Sequence, residues 1–156
     1  MKRVLCVLLA GLTAACAASS NKAPVRIADT EDGSFALTSV AEPALPPGKC
    51  GMILWTLDAN RPTPIMRYVS GETANIAVNG STVDLSLAET SGGGNFGVSE
   101  KQVFVGGAGF DAVVDVHFGL GFEGGVYLER GLVKVTSASG WEVVAPAAGI
   151  AGCRRK

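Results

Sequence analysis

The strongest constraint on this chain is a period of two centred on Asn79-Gly80. That dipeptide accepts the positive φ angles of a two-residue type I′ hairpin turn. With Val78 opposite Ser81, Ile76 faces Val83 and Ala74 faces Leu85. Ile76, Val78, Val83, Leu85 and Leu87 then share one side, and Asn75, Thr82, Asp84 and Ser86 share the other. A one-residue slip would set apolar residues of one strand against polar residues of its partner, so turn chemistry and pattern select the same register. The chain is committed to antiparallel sheet with one buried face.

The same alternation recurs downstream. Phe110, Ala112, Val114, Val116 and Phe118 form an apolar face, with Asp111, Asp115 and His117 opposite around Val113. The run Gly51–Leu57 is almost continuously apolar, which predicts a central strand covered on both sides. A strand-like run at 34–40 precedes the Pro-rich breaker 42–48. Ser91–Asn95 reads as a loop, and Gln102–Val105 as a strand ending at the glycines of 106–109. Val126–Leu128 and Leu132–Val135 are out of phase, which predicts a bulge near Arg130-Gly131. Ser137–Gly140 reads as a turn before a last strand from Trp141. No segment after the first 15 residues carries a helical stripe. The 21 glycines lie between apolar runs, and 156 residues with 47% apolar content suit one core. The expected fold is all-β, a single antiparallel sandwich or small barrel of about eight or nine strands.

The first residues follow a different logic. Met1-Lys2-Arg3 precedes an apolar stretch, Val4–Ala15, that is too short to span a bilayer and closes on small residues, as an export leader does. The junction Leu12-Thr13-Ala14-Ala15-Cys16 resembles the lipobox of bacterial lipoproteins. The resemblance implies a signal peptide over 1–15, a lipid anchor on the Cys16 sulfur, and a lipidated N-terminus with a flexible tether over 16–33 before a β-domain at 34–156. Thr13 stands where that family more often carries Leu, which leaves ordinary cleavage near Ala18 and a soluble product as the alternative. Ala17 implies sorting to the outer membrane, facing the periplasm. With Cys6 removed and Cys16 lipidated, Cys50 and Cys153 remain as a pair in an oxidising compartment. A bridge between them would close a loop of about 100 residues, worth on the order of 4 to 5 kcal/mol.

Charge is nearly balanced, with 13 basic and 14 acidic residues, and no basic stripe interleaves with aromatics, so nucleic acid is not an expected partner. The basic run Arg154-Arg155-Lys156 reads as a solvated tail, with contact to anionic headgroups as the other reading. His117 and Asp115 share a strand face, yet no second histidine or nucleophile accompanies them. No catalytic residue, metal site or cofactor is therefore assigned. Gly119–Gly124 fits the dinucleotide fingerprint in letters only, because the residues that follow are strand-like and supply no helix N-terminus. Trp55, Trp141, Tyr68 and Tyr127 are read as packing residues before pocket residues. Arg61-Pro62-Thr63-Pro64 is a stiff exposed loop, and Arg61 is a candidate partner contact.

With Cys-Gly-Met-Ile-Leu-Trp-Thr-Leu-Asp at one end and Ala-Gly-Ile-Ala-Gly-Cys at the other, residues 50–153 look like small bacterial envelope lipoproteins of uncharacterised function. Ser137-Ala138-Ser139-Gly140 is similar to the stretch that membrane-bound lysozyme inhibitors present to their target, although Trp141 and Glu142 replace the basic residue and Tyr that usually follow. That likeness implies Ser139 as a contact residue. The expected function is a non-catalytic lipoprotein whose domain binds a periplasmic protein or cell-wall partner. The alternatives are a barrel holding an apolar ligand in a dry cavity lined by Trp55, Phe104 and Phe118, and a hydrolase depending on His117.

Overall fold

The computed structural model describes residues 33–58 and 60–156. The expected leader, the Cys16 anchor and nearly all of the expected tether lie outside the described residues.

The described residues form nine strands: β1 (Leu37–Thr38), β2 (Cys50–Thr56), β3 (Pro64–Val69), β4 (Thr73–Val78), β5 (Ser81–Asn95), β6 (Val98–Gly106), β7 (Phe110–Phe122), β8 (Gly125–Ser137) and β9 (Glu142–Cys153). From β2 to β9 each strand pairs antiparallel with the next, and β9 returns to pair with β2. The all-β expectation is therefore met by a closed eight-stranded up-and-down barrel, with β1 as an extra strand. Closure removes the free sheet edges that an open sheet of this size would carry. β1 pairs with Ala77 and Val78, where β4 runs beyond its pairing with β3.

The Asn79-Gly80 hairpin has the expected register, with Val78↔Ser81, Ile76↔Val83 and Ala74↔Leu85. Its turn residues take φ of 49° and 80°, as a type I′ turn requires. Ile76, Val78, Val83 and Leu85 are fully buried. On the opposite face Asn75 is also buried, because its side chain accepts from Arg67 and donates to Asp84 Oδ1 at 2.6 Å.

β2 is covered on both sides, as its continuous apolar run predicts. Met52 and Leu54 point into the barrel, while Ile53 lies outside with Val69, Trp55 and Leu45. Leu45 belongs to the Pro-rich segment 42–48, which is strapped along the outer wall. Arg67 Nη1 donates to the Glu42 carbonyl at 2.9 Å, Arg154 Nη1 donates to the Leu45 carbonyl at 2.8 Å, and Gly48 N donates to the Arg154 carbonyl. The Cys50–Cys153 disulfide joins residues that stand opposite one another in the β2–β9 ladder, at the closing seam.

Two expectations are corrected. The strand expected over 34–40 is only Leu37–Thr38, because β4 offers it two free positions and no more. The loop expected at Ser91–Asn95 is the end of the 15-residue β5, paired with β6 through to Asn95↔Val98. The register shift between Ser91 and Gly94 absorbs its glycines, and the turn falls at Phe96-Gly97 instead. The bulge expected near Arg130-Gly131 is present, as a register shift between Leu128 and Gly131 with Arg130 at φ 48°.

The interior is filled by side chains, as is usual for eight strands. Tyr68 and Phe104 meet edge to face at 5.2 Å, within the same core cluster as Met52, Leu54, Met66 and Leu128. Among the described residues the core runs from Phe35 to Ala151, so the span 33–156 holds all of it.

Candidate functional site

The strand directions place four of the seven connections between barrel strands at one end and three at the other. One end carries the 57–63 loop, the Asn79-Gly80 turn, the 107–109 turn and the Ser137–Trp141 turn; the disulfide and the other turns lie at the opposite end. The Ser137–Trp141 turn is held by its own serines. Ser137 Oγ lies 2.8 Å from Ser139 Oγ, accepts from Trp141 N at 3.2 Å, and sits beneath a Ser137 N to Trp141 O bond of 2.8 Å. Ala138 N donates to the Gly109 carbonyl at 2.7 Å, which ties this turn to its neighbour. The backbone is thus fixed while Ser139 stays exposed and Trp141 keeps 46% of its surface. Gly33 lies against the indole, where a Cβ would come within 3.0 Å of Nε1.

Arg61 lies on the 57–63 loop at the same end. Its side chain is exposed and forms no hydrogen bond or ion pair among the described residues. The loop is pinned at its base, where Thr56 N donates to the Thr63 carbonyl and Thr63 N to Thr56 Oγ1. Ser139 and Arg61 therefore share an end of the barrel, each on a connection anchored by hydrogen bonds.

Beside Trp141, β8 and β9 carry Lys134, Thr136 and Glu142 on the outer face. Lys134 Nζ meets Glu142 Oε1 at 3.0 Å, and the hydrogen bond from that ammonium, then its charge, hold the Glu142 carboxyl below the ordinary glutamate value.

The other sequence candidates are scattered. Trp55 lies on the outer wall, Phe104 is in the barrel interior and Phe118 is half-buried on β7, so these three do not line one cavity. Tyr68 is a core residue as read, whereas Tyr127 and Trp141 are exposed. His117 is exposed on β7, two residues from Asp115 and opposite Glu129 on β8. Both neighbours are carboxylates, and neither is a nucleophile that a histidine base would activate. Glu123-Gly124 forms the turn of the β7–β8 hairpin, and the strand continuation from Gly125 is the one the glycine spacing was read against.

Two features had no clear signal in the sequence. Ser137, which orders the turn, differs in no visible way from Ser139 until the fold buries one and exposes the other. Gln102 points into the core with its surface wholly covered, and neither its Oε1 nor its Nε2 has a hydrogen-bond partner among the described residues. Comparison of the chain with protein-family models, with curated proteins and with solved structures finds no match in any of the three.

Proposed function

We propose that this chain is a non-catalytic envelope lipoprotein, lipid-anchored through Cys16, whose β-domain binds a periplasmic protein or cell-wall partner through the Ser137–Trp141 end of its barrel. The observation that carries the reading is the turn itself. A backbone locked by Ser137 presents a hydroxyl and an indole, so little conformational entropy would be lost on docking. Exposed tryptophan beside a rigid polar turn is the kind of anchor that dominates interface energies. Arg61 adds, at the same end, a cation without an ion-pair partner among the described residues.

The filled interior favours a surface partner over an internal apolar ligand, because Tyr68, Phe104, Met52 and Leu54 occupy the space such a ligand would take. The inhibitor-like form of the proposal follows from Ser139 in Ser137-Ala138-Ser139-Gly140.

The test uses residues 33–156 with lysozyme and, separately, with isolated peptidoglycan. Slowed cell-wall lysis at stoichiometric domain, relieved by Ser139→Asp, supports the inhibitor form. Co-sedimentation with peptidoglycan that is lost in Trp141→Ala supports the wall-binding form. If the domain neither slows the enzyme nor sediments with the wall, the proposal falls.

A further inference from the structure

At the disulfide end the barrel's outer wall carries a groove of about 270 Å³, roofed by the 42–48 strap on one side and the β7–β8 hairpin on the other. Leu45, Ile53, Phe122 and Ile150 make it almost wholly apolar, and the Cys50–Cys153 bridge borders it. The register explains the apolar floor. Ile150 stands opposite Ile53 on one side and Tyr127 on the other, so three outward side chains on β2, β9 and β8 fall in one row. Phe122 extends that row, with its ring 5.0 Å from that of Tyr127.

The charge at the mouth is not balanced in the same way. Arg155 is paired with Glu123, and Lys49 with Glu72. Arg154, which lines the groove, forms no ion pair among the described residues. One of its nitrogens donates to the Leu45 carbonyl, and the remaining donors of the guanidinium fork are left for another acceptor. Lys156 lies beside it, along Gly48. An apolar trough with a cation at its end matches a molecule built the opposite way, with an alkyl chain and an anionic head. The volume falls just below the range of sites for drug-sized ligands, which suits one chain and not two.

We infer that this groove is a binding site for a single-chain carboxylate amphiphile of the fatty-acid class, its alkyl chain on Ile53, Ile150 and Phe122 and its carboxylate on the Arg154 guanidinium. The site lies at the end of the barrel opposite Ser139 and Trp141, so it is independent of the partner surface proposed above. Arginine suits the head because its planar fork meets a carboxylate through two parallel bonds.

The experiment titrates residues 33–156 with laurate and with dodecanol below their micelle or solubility limits, followed by calorimetry. Vesicles of phosphatidylglycerol and phosphatidylcholine serve as a separate arm. Laurate is expected to bind once per chain, and dodecanol about tenfold more weakly, the factor that one charge-assisted hydrogen bond supplies. Arg154→Gln, which can still donate to the Leu45 carbonyl, is expected to weaken laurate by about the same factor and to leave dodecanol unchanged. Ile150→Trp, which fills the trough from the outer face, is expected to abolish both. Equal affinity for laurate and dodecanol, unchanged laurate binding in either variant, or sedimentation with the vesicles in place of laurate binding would each overturn the inference.

Discussion

The two ends of the barrel are closed by different means. At the Trp141 end the plug comes from far away in sequence. The segment entering at Gly33 lays Phe35 over the opening, edge to face with Phe110 at 5.1 Å, and is held by bonds between Ala36 and Asn79 and between Thr38 and Gly80. At the disulfide end the lid is part of the wall. The β5–β6 hairpin outruns the β4 pairing, which ends at Thr73↔Ser86, and its tip reaches across to Ser70. Gly97 meets that residue so closely that a Cβ would overlap its hydroxyl, and the φ of 74° at Gly97 favours glycine. Phe96 and Val98 pack beneath the tip onto the core. An end sealed by a separate segment can be opened without disturbing the wall, whereas an end sealed by a hairpin cannot.

Substitutions at each end break or sharpen that contrast. The largest effect is expected at the seam of the disulfide end. Replacing both Cys50 and Cys153 by Ala should lower stability by about 4 to 5 kcal/mol, read from the urea midpoint, because the bridge spans a sequence separation of 103. Next is the separate plug. Phe35→Ala should cost about 3 kcal/mol and speed amide exchange near Phe110 and Asn79, while exchange at the β2–β9 seam stays slow. Smaller, and opposite in sign, is the change at Gln102, adjacent to Phe104 on the same inward face. Gln102→Leu removes two buried polar atoms without partners and should raise stability by about 1 to 2 kcal/mol. A fall in stability would mean that the amide is satisfied in solution.

The smallest effect is one of pH. Lys134 lowers the Glu142 carboxyl in the folded chain, so its contribution is full above the ordinary glutamate value and disappears as pH falls through the lowered one. Both partners are exposed, so only a slight loss is expected. Glu142→Gln should lower the thermal midpoint slightly at neutral pH and flatten its pH dependence below about pH 4.5, relative to the parent.

How much of this was legible in the sequence depended on the range of the interaction. The β4–β5 hairpin was readable in register because Asn79-Gly80 and the alternation around it are local and agree. The Arg130-Gly131 bulge was readable because a change of phase is visible within a few residues. Closure was legible only in part, since the expected Cys50–Cys153 pair brings β2 and β9 together but nothing in their apolar runs says that they hydrogen-bond along their whole length. The triple glycine at 92–94 gave a loop signal by itself, and pairing with β6 overrode it. At the candidate site the Ser-Ala-Ser-Gly turn was visible as a turn, but the division of labour between Ser137 and Ser139 emerged only with burial. The outer groove was illegible because one side of it is the Pro-rich strap, whose position is set by Arg67 on β3 and by Arg154 just beyond β9, both distant in sequence.

The account rests on the wall being closed, which is what fills the interior and sends binding to the outer surface. Nuclear Overhauser contacts across the β2–β9 seam of residues 33–156 test this most directly. The structure requires backbone contacts between Gly51 and Gly152, Ile53 and Ile150, and Trp55 and Ala148. Their presence along the full ladder is the expected result, and their loss beyond the disulfide would show an open sheet tethered only by its bridge.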